Sequence, residues 1–165
     1  MNISQKLFDA IIVGNLPIVK EELEKGADIN AKSDVGWTAL MFAADVGDLD
    51  ITIFLIENGA NINDRDNDGY SSLMGAAFKG HTAIVKYLID KGAGVNYAST
   101  DNESKGTTAL ISASYNDFPQ IVKFLIENGA DLTAKNMYGY TALKSALSKG
   151  NQEIIDMLKM AGVKE

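Results

Sequence analysis

The sequence predicts an all-α solenoid of five helix–turn–helix units forming one domain over residues 1–165. Three recurring phrases carry that prediction. GADIN at Gly26 returns as GANIN at Gly59, GAGVN at Gly92 and GADLT at Gly129, in steps of 33, 33 and 37 residues. An echo, AGVKE, puts Gly162 another 33 residues on. GWTALMFAA from Gly36 returns as GYSSLMGAA from Gly69, GTTALISAS from Gly106 and GYTALKSAL from Gly139. A third phrase follows each: DITIFLIENGA, AIVKYLIDKGA, QIVKFLIENGA and EIIDMLKMAGV. Such a period marks a repeat array, because one helix pair cannot bury its own apolar face and stacked neighbours can.

The first unit, residues 1–32, follows the template from Leu7, with Glu21 and Glu22 where the next unit has Phe54 and Leu55. Carboxylates there predict an N-terminal cap facing water. In the second unit, 33–65, Thr38 is placed to cap a short helix, its hydroxyl accepting an N–H left unpaired in the first turn. Ser71, Thr108 and Thr141 hold that place in units 66–102, 103–135 and 136–165. Leu40, Ala43 and Ala44, like Leu110, Ala113 and Ser114, suit close helix–helix contact. Gly47, Gly80 and Gly150 then end the first helix, since glycine tolerates the left-handed turn. Second helices carry apolar residues at helical spacing, as in Ile84, Val85, Leu88 and Ile89. The fourth unit departs twice: its turn, YASTDNESKG, is four residues longer, and Asp117 replaces the helix-ending glycine. An insertion in a solenoid maps to a loop on one face. Lys144 and Lys159 replace apolar residues in the last unit, which reads as a C-terminal cap of a complete array.

The period and the phrase G-x-T-x-L…A-A…G…I-V…L-L…G-A-D-x-N resemble the ankyrin repeat, over nearly the whole chain. The resemblance implies a slightly curved solenoid of antiparallel helix pairs, with β-hairpin-like turns projecting along one edge. It also has departures. The family's T-P-L-H phrase is T-A-L-M at Thr38, S-S-L-M at Ser71, T-A-L-I at Thr108 and T-A-L-K at Thr141. Met41, Met74 and Ile111 thus put apolar packing where a histidine usually bonds between repeats.

Composition narrows the function. Net charge is −7, a sign that repels phosphate, so neither nucleic acid nor an anionic membrane is an expected partner. Without cysteine, disulfides, thiol catalysis and cysteine zinc sites are excluded. No apolar run is long enough to span a membrane, and the N-terminus does not read as a secretory signal. A cytoplasmic monomer is expected. The Asn2 and Asn102 sequons mean little without secretion.

DRDNDG, residues 64–69, begins like a calcium loop, with Asp64, Asp66 and Asp68 before Gly69. The twelfth position, where a bidentate glutamate must close the cage, is Gly75. The stretch instead occupies the turn before a repeat, where aspartates suit a solvated tip. The only histidine, His81, follows Gly80. No nucleophile–base pair, P-loop or dinucleotide fingerprint appears, so neither catalysis nor a cofactor or metal is expected.

What the resemblance implies instead is recognition of a protein partner through the turns and the exposed face of the first helices. Those positions give Asp34, Trp37, Arg65, Asp68, Tyr70, Tyr138 and Tyr140 from the turns, and Asp45, Phe78, Lys79, Tyr115 and Asn116 from the helices. Trp and Tyr dominate binding hot spots, and aspartates around them suit a basic partner. Aromatics just after the turn glycine, Trp37 and Tyr70, also have a packing reading, as stiffeners of the edge. A narrower version is a small acidic inhibitor or immunity-type protein masking a basic site. From another class come a structural spacer and a weakly metal-regulated protein.

Overall fold

A computed structural model describes residues 3–163. Asn2 of the first sequon and Lys164 and Glu165 of the AGVKE echo lie outside them. The described residues form ten α-helices and almost no strand. They are α1 (Ile3–Ile12), α2 (Leu16–Glu24), α3 (Ala39–Val46), α4 (Leu49–Glu57), α5 (Ser72–Lys79), α6 (Thr82–Asp90), α7 (Ala109–Tyr115), α8 (Pro119–Glu127), α9 (Ala142–Lys149) and α10 (Gln152–Met160). Successive helices pair, and the pairs stack so that odd-numbered helices make one row and even-numbered helices another.

Helices of seven to ten residues are too short to hold alone, so stacking must supply their stability. Small side chains set the spacing of the inner row: Ala43, Ala44, Ala76, Ala77, Ala113, Ser114 and Ala146 are all fully buried. Large ones fill the space between rows, with Leu40, Leu73 and Leu110 from the first helices against Ile51, Leu55, Ile84, Leu88, Ile121 and Leu125 from the second. Each such side chain contributes about 1.5–3 kcal/mol on burial. Met41, Met74 and Ile111 are buried as the sequence predicts, and Lys144 in the same slot is exposed.

The predicted caps form. Thr38 Oγ1 accepts from the Met41 N–H at 3.3 Å, Ser71 Oγ from Met74 at 3.3 Å, Thr108 Oγ1 from Ile111 at 3.3 Å and Thr141 Oγ1 from Lys144 at 3.2 Å. Each is worth about 1 kcal/mol. Asn15, Asp48 and Asn151 cap α2, α4 and α10 through their side chains. His81 and Phe118 hold the same slot before α6 and α8 but make no capping bond. Their rings lie instead over the preceding unit's glycine: a Cβ on Gly47 would stand 2.5 Å from His81 Cε1, and one on Gly80 2.6 Å from Phe118 Cε1. Asp117 adopts the left-handed backbone that glycine supplies elsewhere, at φ 64°, and its carboxylate accepts from Asn151 Nδ2.

One expectation fails at the N-terminal end. Glu21 is exposed, but Glu22 is only 4% exposed, because it occupies the slot that Leu55 fills one repeat later. The array geometry buries that slot whatever residue holds it. Lys25 compensates, standing 2.9 Å from Glu22 and 2.6 Å from Glu21. The two carboxylates raise the Lys25 ammonium to about 12, the Glu21 hydrogen bond contributing most.

The turns stack as well. In each, backbone pairing closes a narrow loop: Ser33 N–H to Trp37 C=O at 2.9 Å, Asp66 to Tyr70 at 2.9 Å, Asn136 to Tyr140 at 3.0 Å. The longer turn keeps the same closure, Ser99 N–H to Thr107 C=O at 3.0 Å, so the four extra residues stay in its tip. Neighbouring tips are tied by Asn67 N–H to Val35 C=O, Thr100 N–H to Asp68 C=O and Met137 N–H to Lys105 C=O. At the other end of each unit, Asn30, Asn63 and Asn96 reach into the next repeat. Asn63, for example, accepts from the Gly94 N–H at 2.7 Å and donates to the Gly92 carbonyl at 3.2 Å. Thr133, in the last such slot, bonds locally to Asp131.

Candidate functional site

The aromatic positions are set by the turn that precedes each first helix. One residue per turn accepts the N–H of the residue after the glycine. Ser33 Oγ accepts from Trp37 at 3.1 Å, Asp66 Oδ1 from Tyr70 at 2.8 Å and Asn136 Oδ1 from Tyr140 at 3.0 Å. Asp66 also accepts from the Asp68 N–H at 2.9 Å and, through Oδ2, from Trp37 Nε1 at 2.9 Å. The middle aspartate of DRDNDG therefore organises two turns.

Trp37 is half-buried, with its ring centroid 5.0 Å from that of Phe42, which in turn meets Phe8 at 5.1 Å. Tyr70 is also half-buried and donates its hydroxyl to Ser104 Oγ at 3.3 Å, joining the second aromatic turn to the long one. The four remaining candidate aromatics are open. Phe78 is 49% exposed, Tyr115 47%, Tyr138 67% and Tyr140 41%.

Tyr70, Phe78, Tyr115, Asn116, Tyr138 and Tyr140 line one groove of about 630 Å³ along α5, α7 and α9. A smaller notch of about 140 Å³ adjoins it, lined by Trp37, Asp45, Tyr70 and Phe78 with Met41, Asp66, Ser71 and Gly75. Lys79 stands at 3.8 Å from Asp45 Oδ2, and Asn116 Nδ2 donates to the Phe78 carbonyl at 3.4 Å. The other three turn residues line neither depression. Asp34 and Asp68 offer their carbonyls to neighbouring turns, and the Arg65 guanidinium lies 5.2 Å from the centroid of the Tyr97 ring.

Sequence reasoning missed Lys149, whose ammonium lies 3.9 Å from the Tyr115 ring centroid, and the small residues Gly75, Ser112 and Ser145 that open the two depressions. Their signal was in register: these three occupy the slot held by Phe42 in the second unit. His81 is a strut. Its Nε2 bonds the Asp45 carbonyl at 2.9 Å while the ring covers Gly47.

A family model described as ankyrin repeats (3 copies) matches residues 7–101 and again 94–164. The chain belongs to the ankyrin-repeat family. Ankyrin repeats are in general protein–protein interaction modules and in general not enzymes. No curated protein matches the chain significantly. Among the described residues of this ankyrin array, no helix is long and apolar enough to cross a membrane. Tyr70, Ser104, Tyr138 and Tyr140 of the ankyrin turns line the same groove as Phe78, Tyr115 and Lys149 of α5, α7 and α9.

Proposed function

We propose that this ankyrin array is a non-enzymatic binding module that holds one partner protein against the groove and the turn edge. The observation that carries the reading is the convergence of Phe78, Tyr115, Tyr138 and Tyr140, all over 40% exposed, on a single concave surface. Large aromatics left open beside polar residues mark interaction sites. The partner is basic, in keeping with a net charge of −7 on the array, and the module works as a cytoplasmic monomer. That charge also supports the narrower reading, an acidic inhibitor covering a basic site. Its association rate would fall steeply with added salt.

The test is capture of a partner by wild type and by Phe78→Ala/Tyr115→Ala, after both show the same melting temperature. Both side chains are half-open, so truncation spares the core. Loss of a hot-spot residue costs about 2 kcal/mol, or roughly 30-fold in Kd. Equal binding by the double variant overturns the groove reading.

A further inference from the structure

Gly75 sits inside α5, where glycine costs about 1 kcal/mol relative to alanine. Nothing in the fold demands it. Its backbone is not left-handed, and a Cβ built there meets no atom within 4 Å. Every helix-ending glycine differs in this respect, because each has positive φ. What Gly75 does is leave the floor of the notch between α3 and α5 open.

The walls of that notch have a specific chemistry. Trp37, Tyr70 and Phe78 provide three aromatic rings, and Asp45 and Asp66 provide two carboxylates. Asp66 already accepts the Trp37 indole N–H, which fixes the ring at the wall. Aromatic faces and carboxylates together favour a cation, and partial desolvation strengthens the ring contribution. At the rim, Lys79 holds Asp45 only at 3.8 Å, so an arriving cation displaces a weak contact. About 140 Å³ admits the head of one side chain and excludes a helix or strand.

We infer that the Gly75 notch is a pocket for a single cationic side chain, arginine or lysine, presented by the partner polypeptide. The inference rests on the binding-module reading and adds to it the residue type that the partner must carry. Gly75 is then a specificity residue: a side chain at that position closes the pocket.

Trp37 is the only tryptophan, so its emission reports the pocket directly. The probes are three blocked tripeptides, acetyl-Gly-X-Gly-amide, with X arginine, lysine or norleucine. The arginine or lysine probe is expected to change Trp37 emission saturably, with half-saturation at roughly millimolar concentration, and norleucine to do so at least tenfold more weakly. Gly75→Leu should abolish the change without lowering the melting temperature, and Asp45→Asn should weaken it several-fold. No saturable change with either cationic probe, equal response to norleucine, or unaltered response in Gly75→Leu each overturns the pocket. The two readings fail separately. If Gly75→Leu captures the partner as wild type does while Phe78→Ala/Tyr115→Ala does not, the groove stands and the pocket falls.

Discussion

Replacing Gly75 by alanine isolates what that glycine costs the fold. The added methyl group meets open space on α5, and the backbone is already helical, so neither clash nor strain opposes it. The gain is the helix-propensity difference, about 1 kcal/mol, which includes the lower entropy of the unfolded alanine chain. For a chain of this size the melting midpoint should rise by about 2–4 °C, read by circular dichroism at the helix band. Gly75 lies in the central pair, away from ends that fray first, so the global transition should register the whole effect. Gly47→Ala is the internal contrast. There φ is +88° and the methyl group would stand 2.5 Å from His81 Cε1. The left-handed backbone alone costs about 1–2 kcal/mol, and the displaced ring adds to it. If Gly75→Ala is neutral or destabilising, or if the two variants behave alike, the argument that Gly75 is structurally dispensable is wrong.

Three further outcomes are expected. Asn63→Ala removes two bonds to the next repeat and should cost about 1–2 kcal/mol by denaturant unfolding, whereas Thr133→Ala, whose partner is local, should cost less. Asp101 is held below its usual carboxylate range, first by the Ser104 hydroxyl and then by backbone N–H groups of the long turn. A lowered folded value means that this ordering is complete above the unfolded value of about 3.8 and is lost as pH falls through the folded one. Protection of the Ser104 amide, which donates to Asp101 Oδ1 at 2.7 Å, should therefore persist at pH 6, begin to weaken below about pH 3.8 and be lost only once pH falls through the lower folded value, by hydrogen exchange. Leu73→Ala, in the central core, should cost about 2–5 kcal/mol and broaden or split the thermal transition, as an array uncoupled at its middle must.

Much of this fold was legible because each repeat states it again. Thr38, Ser71, Thr108 and Thr141 recur in phase, and a hydroxyl at the start of an apolar run has one local use. What escaped notice depends on contacts with the next repeat. Glu22 looked like a solvent-facing cap because charge was read without the register that buries its slot. The asparagines of GADIN, GANIN and GAGVN were visible, but their partners lie about thirty residues on, in the following unit. The aromatic stripe was legible in part. Sequence spacing put Trp37 and Phe78 on one surface but could not tell that the indole N–H is tied to Asp66 while the phenyl ring stands open. Gly75 was visible only as a missing glutamate in a calcium loop. Its meaning depends on what a side chain there would not touch.

The long turn is fastened at both flanks, Thr100 to the turn before it and Lys105 to the turn after it, with Asp101 and Ser104 bracing the tip between. Length is therefore a free variable at that point. Loop closure costs only about 0.6 kcal/mol for each doubling of loop length, so residues spliced in between Asn102 and Glu103 can extend outward while every helix keeps its place. The scaffold offers a socket there: a foreign loop, an epitope or a sensor peptide grafted at that tip would be displayed beside the groove without renegotiating the stack beneath it.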